Sequence, residues 1–396
     1  MLINNQRCPD KDNNEYTLYD AIITGAGIAG LACSVYLSRA GFKVCVIERK
    51  KEIGYPVCCG EAVSKKSLHD SGFYHPSYID SKVKGYRVYY PDDNYMEVDS
   101  QGYLLNRGAF EKYLCCLAEK SGVKILLKTP VLSCFQDREK VTVKTSCGVF
   151  EGKYLIAADG PESLCASFFS PEKNKWLPAA QYRIKENGVP GACKRSEFLG
   201  FYYDSLSPYY FWNFEKSGYS NIGGCVSDKT ILCDFINKRF TGGDRKIHEF
   251  VRGKIPAGGL KKKIVFGRVA LIGDAAGAVN PVSLAGIYGA LMSAKLSAEA
   301  AVLSLKTGVN SMSKYEKDMK KSNFTRMELK YLAKKCSGYP EKALLFLGGY
   351  FTGRKFHTID IRLFLKMLKK YPVVLKYLIP MFIHRNLLIK ETDNMW

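Results

Sequence analysis

A glycine-rich turn between an apolar segment and a helical pattern most limits how this chain can fold. Tyr19–Thr24 predicts a buried strand, and Leu31–Ala40 predicts a helix. Between them, Gly25 permits a tight turn, Gly27 lets the backbone approach a pyrophosphate, and Gly30 allows close helix packing. Phosphates would then meet free backbone amides at the helix N-terminus. The segment predicts a dinucleotide-binding unit.

Three further features turn the dinucleotide site into a predicted FAD site. A second predicted strand ends at Glu48, whose carboxylate can accept hydrogen bonds from ribose hydroxyls. Leu155–Ser163 (LIAADGPES) carries Asp159, and Arg268–Pro281 (RVALIGDAAGAVNP) places Asp274 between a buried strand and small residues that open a predicted helix. In flavoproteins with a similar fingerprint such an aspartate holds the ribityl chain; the alternative is a helix N-cap. The order of the segments predicts noncovalent FAD.

Length and composition favour a multidomain cytoplasmic enzyme. A chain of 396 residues is expected to form two or three domains. It contains no apolar run of about 18 residues or more, and its polar N-terminus does not resemble a signal peptide. The 14 cysteines are scattered and include no CxxC pair, so we expect reduced thiols and no metal site.

The positive charge is concentrated in the last quarter of the chain. Lys306–Trp396 holds 19 Lys and Arg against 7 Asp and Glu, which is +12 of the total of +21. Its leucines and aromatic residues alternate with lysines, as in helices that lie on an anionic membrane surface. Pro372 and Pro380 break the segment into short helices. The alternative is a helical cap with a solvated basic face; a nucleic-acid partner is disfavoured because no recognition module is present.

The residues between the FAD segments predict an antiparallel sheet. Tyr86–Val98 predicts a hairpin that turns at Pro91–Asn94, and Gln181–Ser227 predicts aromatic-rich strands with turns at Asn187-Gly188 and Ser217-Gly218. The FAD-binding domain is therefore expected to be discontinuous. The predicted division is a flexible leader at 1–17, an FAD-binding domain at 18–84, 101–165 and 262–305, a substrate-binding sheet at 85–100 and 166–261, and a helical region at 306–396.

Two segments resemble the geranylgeranyl reductase family. Tyr55–Ser64 (YPVCCGEAVS) is similar to that family's cysteine segment, and Tyr210–Gly224 (YFWNFEKSGYSNIGG) is similar to its YxWxFPK signature with a trailing NxG. The order of motifs matches from Tyr19 to Ala301. The resemblance implies an α/β fold with a Rossmann-like FAD-binding domain of the p-hydroxybenzoate hydroxylase and glutathione reductase type. It also implies an FAD-dependent reductase of isolated double bonds in prenyl lipids or prenyl diphosphates.

The resemblance further assigns cofactor contacts along the whole chain. It places Ala29 at the phosphate turn, Arg107 near the pyrophosphate, and Val131 against adenine at the end of a strand. The full set of predicted cofactor-binding residues is Gly25, Gly27, Ala29, Gly30, Glu48, Cys59, Gly60, Ala62, Arg107, Val131, Asp159, Asp274, Gly286 and Ile287.

The chemistry of alkene reduction singles out a cysteine and three aromatic residues. An unactivated double bond needs a hydride, a proton donor on the other carbon and a dry cavity. Cys59 is the predicted donor or shield at the flavin, because a thiol can act as an acid near neutral pH; the alternative is a small buried side chain. Tyr210, Trp212 and Phe214 alternate, so they share one strand face and are predicted to line the substrate cavity, or else to form sheet core.

Two departures from the family pattern are expected to alter the prenyl tunnel. Glu215 replaces the signature proline, and Ser283-Leu284-Ala285 replaces a glycine-rich approach to Gly286. Alternative functions are a flavin-dependent aromatic hydroxylase or halogenase of the same fold, and a flavin-binding protein without turnover. Because no second GxGxxG is present, the electron donor is left open between NADPH, a ferredoxin and another carrier.

Overall fold

The computed structural model describes residues 18–172, 175–186, 197–207, 209–240 and 245–322, together with 341 and 345. The described chain divides into two compact units. Of the described residues, the first unit contains those up to Tyr55, Arg107–Trp176 and those from Pro256 to residue 322, and the second contains Pro56–Asn106 and Leu177–Ile255. The predicted leader and most of the predicted C-terminal helical region lie outside the described residues.

Strands and helices follow one another along the chain in an order typical of an α/β protein. The strands are β1 (Leu18–Thr24), β2 (Val44–Ile47), β3 (Ala62–Ser64), β4 (Ile79–Tyr89), β5 (Tyr95–Leu105), β6 (Lys124–Leu126), β7 (Val131–Gln136), β8 (Val141–Thr145), β9 (Gly148–Ala157), β10 (Trp176–Glu186), β11 (Phe198–Tyr202), β12 (Phe211–Lys216), β13 (Tyr219–Gly224), β14 (Arg245–Pro256), β15 (Val265–Phe266) and β16 (Val269–Leu271). The helices are α1 (Ile28–Arg39), α2 (Lys65–Asp70), α3 (Arg107–Lys120), α4 (Leu164–Phe169), α5 (Lys229–Arg239), α6 (Ile287–Thr307) and α7 (Met312–Lys320).

The first unit is built on a largely parallel sheet. Its main path runs β15-β16-β9-β1-β2-β6, and β8 joins β9 and β7 in antiparallel pairing. Strands β16, β9, β1, β2 and β6 run parallel to one another on this path, and β15 is antiparallel to β16. The centre of β1, the whole of β2 and the carboxyl end of β9 are continuous buried apolar runs, which is typical of parallel strands covered on both faces. The predicted Rossmann-like α/β class is therefore confirmed.

Two helices of the first unit meet through small side chains. Cys33 of α1 and Ser297 of α6 lie 3.6 Å apart from sulfur to oxygen. The expectation that a helix opens directly after Asp274 is wrong, because Gly273–Ala276 forms a single 3-10 turn and α6 begins only at Ile287. Positive φ angles of 56° at Gly273 and 72° at Gly277 interrupt helical geometry on both sides of the turn.

The second unit is built on a mostly antiparallel sheet ordered β14-β10-β13-β12-β11-β4-β5-β3. One face packs its aromatic residues on α5, where Phe211 stacks on Phe235 with ring centroids 3.9 Å apart. The predicted turns at Pro91–Asn94 and Ser217-Gly218 join β4 to β5 and β12 to β13 as expected, whereas Asn187-Gly188 lies outside the described residues.

The division between the units differs from the predicted domain boundaries. Residues 56–84 and 101–106 belong to the second unit rather than to the FAD-binding unit. The reason is that β3, β4 and β5 hydrogen-bond to one another in the second sheet. Among the described residues, no helix is both long enough and apolar enough to cross a membrane.

Candidate active site

The three predicted FAD segments all lie at the carboxyl end of the parallel sheet of the first unit. Thr24 at the end of β1 pairs in register with Ala157 of β9, and Ala157 pairs with Leu271 of β16. The glycine-rich turn, the Asp159 segment and the Asp274 segment therefore follow the carboxyl ends of three neighbouring strands. Open α/β sheets bind their ligands outside these strand ends. Folding thus brings together segments that are distant in sequence.

The glycines of the first turn have different surroundings. Gly25 has a φ of 95°, and a Cβ there would lie 2.4 Å from the Ala158 carbonyl oxygen. A Cβ at Gly30 would lie 2.0 Å from the carbonyl oxygen of Gly25. Gly27 is open by contrast, because the nearest atom to a Cβ there is Glu111 Oε1 at 4.0 Å. Close packing thus fixes the outer two glycines, and the middle one leaves its backbone accessible.

Glu48 lies beside the N-terminus of α1. Its Oε2 accepts a hydrogen bond from the backbone N–H of Ala26 at 2.7 Å, and its Oε1 accepts one from Lys50 at 2.8 Å. The Thr129 N–H donates to the Glu48 carbonyl oxygen at 2.9 Å, which holds the loop before β7 next to this carboxylate. Val131 begins β7 instead of ending the preceding strand, because that loop separates it from β6.

The second charged part of the site is Asp274, whose charge interacts with that of Arg107. Burial raises the pKa of the Asp274 carboxyl above its usual value, and the Arg107 guanidinium opposes that rise. Arg107 begins α3 and also pairs with Glu111, with 2.9 Å between nitrogen and oxygen. Gly286 precedes α6, and a Cβ there would lie 3.5 Å from Asp274 Oδ1. Ile287 is the first residue of α6, so this set of predicted contacts is brought together.

Asp159 and Ala29 make close contacts near the same carboxyl end of the parallel sheet. Asp159 accepts a hydrogen bond from the Ser163 hydroxyl and another, at 3.0 Å, from the Cys165 N–H in the first turn of α4. Ala29 lies in the first turn of α1, and its Cβ would be 2.9 Å from a Cβ at Gly273. Asp159 therefore orders the start of α4, and Ala29 needs a glycine opposite it.

The predicted cysteine segment lies in the second unit. Cys59 is partly exposed, and its Sγ accepts a hydrogen bond from the Glu61 N–H at 3.2 Å. Glu61 adopts a φ of 72°, which is uncommon for a residue other than glycine. A Cβ at Gly60 would lie 2.7 Å from the ring of Phe214, and Ala62 begins β3. A tight turn thus presents the Cys59 thiol.

The three signature aromatic residues lie on one face of the second sheet. Tyr210, Trp212 and Phe214 are all buried. Phe201 touches two of them, with ring centroids 5.2 Å from Tyr210 and 5.3 Å from Phe214. The indole N–H of Trp212 donates to Gln181 Oε1 at 2.9 Å. Tyr210 lies just before β12, and the other two lie within it.

Glycines lie beneath two of these rings, one from the signature itself and one from the cysteine segment. A Cβ at Gly223 would lie 2.3 Å from the Trp212 ring, and Gly60 is in the same relation to Phe214. The rings therefore lie directly over the backbone at positions where a side chain would displace them. The cysteine segment and the aromatic signature thus fit each other as one packed unit.

The two departures from the family pattern have local explanations. Glu215 lies on the opposite face of β12 from Trp212, where its charge helps burial to raise the pKa of the Tyr202 hydroxyl. Leu284 has a φ of 58°, the region that favours glycine. Asn280 holds this turn, because its Oδ1 accepts hydrogen bonds from the N–H groups of Val282 and Ser283 at 2.9 and 3.1 Å.

Comparisons with known proteins agree with this arrangement. A family model described as an NAD(P)-binding Rossmann-like domain matches residues 23–76. The digeranylgeranylglycerophospholipid reductase of Methanococcus aeolicus is 30% identical over 386 residues, which cover 91% of this chain and 97% of that protein. The crystal structure of a geranylgeranyl bacteriochlorophyll reductase-like protein from Thermoplasma acidophilum is 28% identical and superimposes with a TM-score of 0.79, covering 91% of this chain and 98% of that one.

The chain belongs to the digeranylgeranylglycerophospholipid reductase family. It is accordingly an FAD-dependent oxidoreductase. The p-nitrophenol 4-monooxygenase of Pseudomonas putida shares the fold, with a TM-score of 0.67 over 89% of this chain and 97% of that one, but is only 16% identical. The aromatic hydroxylases are therefore related to this chain by fold alone.

The residues at the carboxyl end of the parallel sheet fit an FAD molecule. The start of α1 has no side chain that caps it, so its first amides are free to bind a pyrophosphate. Gly27 leaves room for the approach of that group. The Glu48 carboxylate oxygens each accept one backbone hydrogen bond and retain lone pairs for ribose hydroxyls. Asp274 supplies a further acceptor near Gly286 for a hydroxylated chain.

A buried charged cluster in the second unit was missed from the sequence. Lys216 Nζ lies 2.7 Å from Glu61 Oε2, and the side chains of both residues are almost fully buried, with 0% and 2% exposure. Asn221 Nδ2 donates to the same oxygen at 2.8 Å, and Arg183 lies 3.9 Å from it. A signal was available, because Lys216 shares the face of Trp212 in the alternating pattern and a lysine there needs a buried counter-ion.

Proposed function

We propose that this chain reduces isolated carbon–carbon double bonds of a prenyl chain, of the geranylgeranyl type, in the synthesis of isoprenoid membrane lipids. The observation that carries the proposal is full-length family membership joined to the packing of Gly60 against Phe214. That contact connects the cysteine segment to the aromatic signature. These are the two segments that distinguish the reductases from hydroxylases of the same fold.

The residues of the chain would divide the work as follows. Bound FAD in its reduced state would supply a hydride. The free amides of α1, Glu48 and Asp274 would bind and orient the cofactor. Cys59 would hold the proton that the second alkene carbon receives, with its thiol at the surface of a tight turn. Tyr210 and Trp212 would exclude water from the apolar substrate, because their rings are buried on one face of the sheet.

The test is incubation of the reduced enzyme, without oxygen, with a digeranylgeranylglycerol phospholipid, followed by mass spectrometry of the lipid. We expect the lipid to gain hydrogen in pairs, with one equivalent of flavin oxidised for each pair. A protein that consumes oxygen and hydroxylates or halogenates an aromatic compound, and leaves the lipid unchanged, would refute the proposal. Flavin that no prenyl lipid oxidises would indicate a binding protein without turnover.

We further propose that the protein is cytoplasmic and binds the membrane surface through its basic C-terminal region. The support is the charge of +12 carried by 306–396, most of which lies outside the described residues. A prenyl chain is poorly delivered through water, since each exposed CH₂ is unfavourable by about 0.8 kcal/mol. The electron donor stays open between NADPH, a ferredoxin and another carrier.

Cosedimentation with liposomes tests the membrane proposal. We expect binding to anionic vesicles at low salt that weakens as salt rises, and little binding to zwitterionic vesicles, because exposed charges are screened within a Debye length. Changing Lys366, Lys369, Lys370 and Lys376 to glutamate should abolish binding. Changing the same number of lysines elsewhere, at Lys66, Lys84, Lys112 and Lys153, is the matched control. A full chain that ignores anionic vesicles at low salt would refute the proposal.

A further inference from the structure

The turn that carries Cys59 is held by a charged cluster and not by apolar packing alone. Glu61 is almost fully buried, and its carboxylate receives hydrogen bonds from Lys216 at 2.7 Å and from Asn221 at 2.8 Å. Lys216 also donates to the Leu105 carbonyl oxygen at 2.6 Å. The Leu105 N–H in turn donates to the Glu61 carbonyl oxygen at 2.9 Å. Side-chain and backbone contacts thus fix Glu61 from two sides.

The fixed residue has an unfavourable backbone conformation. Glu61 has a φ of 72°, and such a conformation costs a residue with a Cβ on the order of 1 kcal/mol or more. Strain of this kind persists only where the surroundings determine it. At Glu61 the surroundings include Lys216, Asn221 and Leu105, with Arg183 3.9 Å from the carboxylate. If the side-chain anchors were lost, the backbone would relax to a negative φ and the N–H of residue 61 would turn.

That N–H is the group that contacts Cys59. The Glu61 N–H donates to Cys59 Sγ at 3.2 Å, so the sulfur acts as an acceptor on that side. The thiol hydrogen of Cys59 must then point in another direction. An accepted hydrogen bond therefore sets both the place of the sulfur and the direction in which it can release its proton.

We propose that Glu61, Lys216 and Asn221 are positioning residues that hold Cys59 for proton donation to the substrate. The proposal rests on the proposed function, in which Cys59 is the acid. In this proposal, the charged and polar residues of the YFWNFEKSGYSNIGG signature hold the cysteine segment in place through Glu61. Glu61 acts through its backbone N–H, and its carboxylate serves to keep that N–H in place.

The experiment compares two double variants that lose the same charges. Glu61→Met/Lys216→Met removes both anchors and keeps a side chain at 61, whereas Glu61→Gly/Lys216→Met lets residue 61 keep a positive φ without strain. Replacing both members of a buried ion pair by uncharged residues is often tolerated for stability. Lys84→Met/Glu197→Met removes a matched, exposed pair at 2.6 Å in the same unit and is the control.

Two properties are measured in a Cys58→Ser background. One is kcat and KM for the prenyl lipid, and the other is the rate at which iodoacetamide alkylates Cys59, followed by peptide mass spectrometry. We expect Glu61→Met/Lys216→Met to lose about tenfold or more in kcat with little change in KM, because misplacement by about 1 Å can cost on the order of 100-fold. Alkylation should slow, since the turn would no longer hold the Cys59 sulfur in its exposed position. Glu61→Gly/Lys216→Met should recover most of both rates.

Three outcomes would overturn the proposal: wild-type kcat and alkylation in Glu61→Met/Lys216→Met, faster alkylation from a loosened turn, or no recovery with glycine. If the methionine variant does not fold, Asn221→Ala removes one anchor and should lower kcat about two- to tenfold, as expected for one hydrogen bond; an unchanged kcat would refute the proposal equally. If the wild-type enzyme fails to reduce prenyl lipids, the proposed function fails, and the alkylation rates still decide whether the cluster positions Cys59.

Discussion

Two tight turns of this protein, one in each unit, are held in different ways. The turn at Gly25–Gly30 is fixed by contacts of backbone with backbone, such as the close approach of Gly30 to the Gly25 carbonyl oxygen. The turn at Cys59–Glu61 contains a non-glycine residue with a φ of 72° and is fixed by a buried ion pair. The first turn leaves backbone amides free for a ligand, and the second turn holds one side chain, that of Cys59, in a fixed direction.

Buried charged residues serve different purposes in the two units. In the second unit, Glu61 and Lys216 neutralise each other and serve the fold of the turn. In the first unit, burial raises the pKa of Asp274, so the fold itself disfavours the charged form of this carboxyl. A charge that the fold disfavours is expected to serve a ligand. Substitutions can test this contrast directly.

The largest effect is expected at Lys216. Lys216→Met removes the hydrogen-bonded cation of the buried Glu61 carboxylate and leaves only the more distant Arg183, at 3.9 Å. Breaking a buried ion pair typically costs about 3 to 5 kcal/mol. Lys84→Met, which breaks an exposed pair, should cost less than about 1 kcal/mol. Urea unfolding followed by fluorescence measures both. Equal costs for the two variants would mean that the Glu61–Lys216 pair is not desolvated.

A smaller effect is expected in the glycine-rich turn, and it should depend on which glycine is changed. Gly30→Ala forces an atom against the Gly25 carbonyl oxygen and should destabilise the protein by about 1 to 3 kcal/mol. Gly27→Ala should change the stability of the FAD-free protein by less than about 1 kcal/mol and still weaken FAD binding. Thermal unfolding without FAD and a fluorescence titration with FAD separate these effects. Similar stability losses in both variants would contradict the assigned roles.

The smallest effect on stability is expected at Asp274, and its sign is opposite. Because the folded pKa is raised, the folded protein binds this proton more tightly than the unfolded chain does, and stability falls as pH rises from the unfolded pKa through the folded one. Asp274→Asn should therefore stabilise the FAD-free protein at pH 7, lose that gain in acid below the unfolded pKa, and weaken FAD binding. Destabilisation at pH 7 would show that the carboxylate serves the fold.

The sequence predicted the first unit better than the second. Two kinds of signal are local in the sequence: continuous apolar runs such as Val44–Ile47, and glycines at positions where a side chain would clash. The Rossmann-like sheet and the strand ends that carry its motifs could therefore be predicted. The start of α6 could not, because the turn that carries Asp274 ends at Gly277, which has a positive φ. The assignment of β3 to the second sheet depends on its pairing with β5, which is distant in sequence.

The cluster around Glu61 was missed for the same reason. Its partners come from β12 and β13, and no local pattern pairs a glutamate after a cysteine with a lysine some 150 residues later. Periodicity placed Trp212 and Phe214 on one face correctly. The same alternation, continued by two residues, puts Lys216 on that face, and the need of a buried lysine for a carboxylate is the physical signal that could have led to Glu61.

The most direct test of the account is the rate at which a geranylgeranyl lipid reoxidises the reduced flavin in a single turnover without oxygen. We compare the wild-type protein with Cys59→Ala and with Cys58→Ala as the matched control. Removal of a general acid typically costs on the order of 100- to 10,000-fold. We predict a loss of that order in Cys59→Ala with FAD still bound, and near wild-type rates in Cys58→Ala. Equal rates in Cys59→Ala and the wild type would contradict the account.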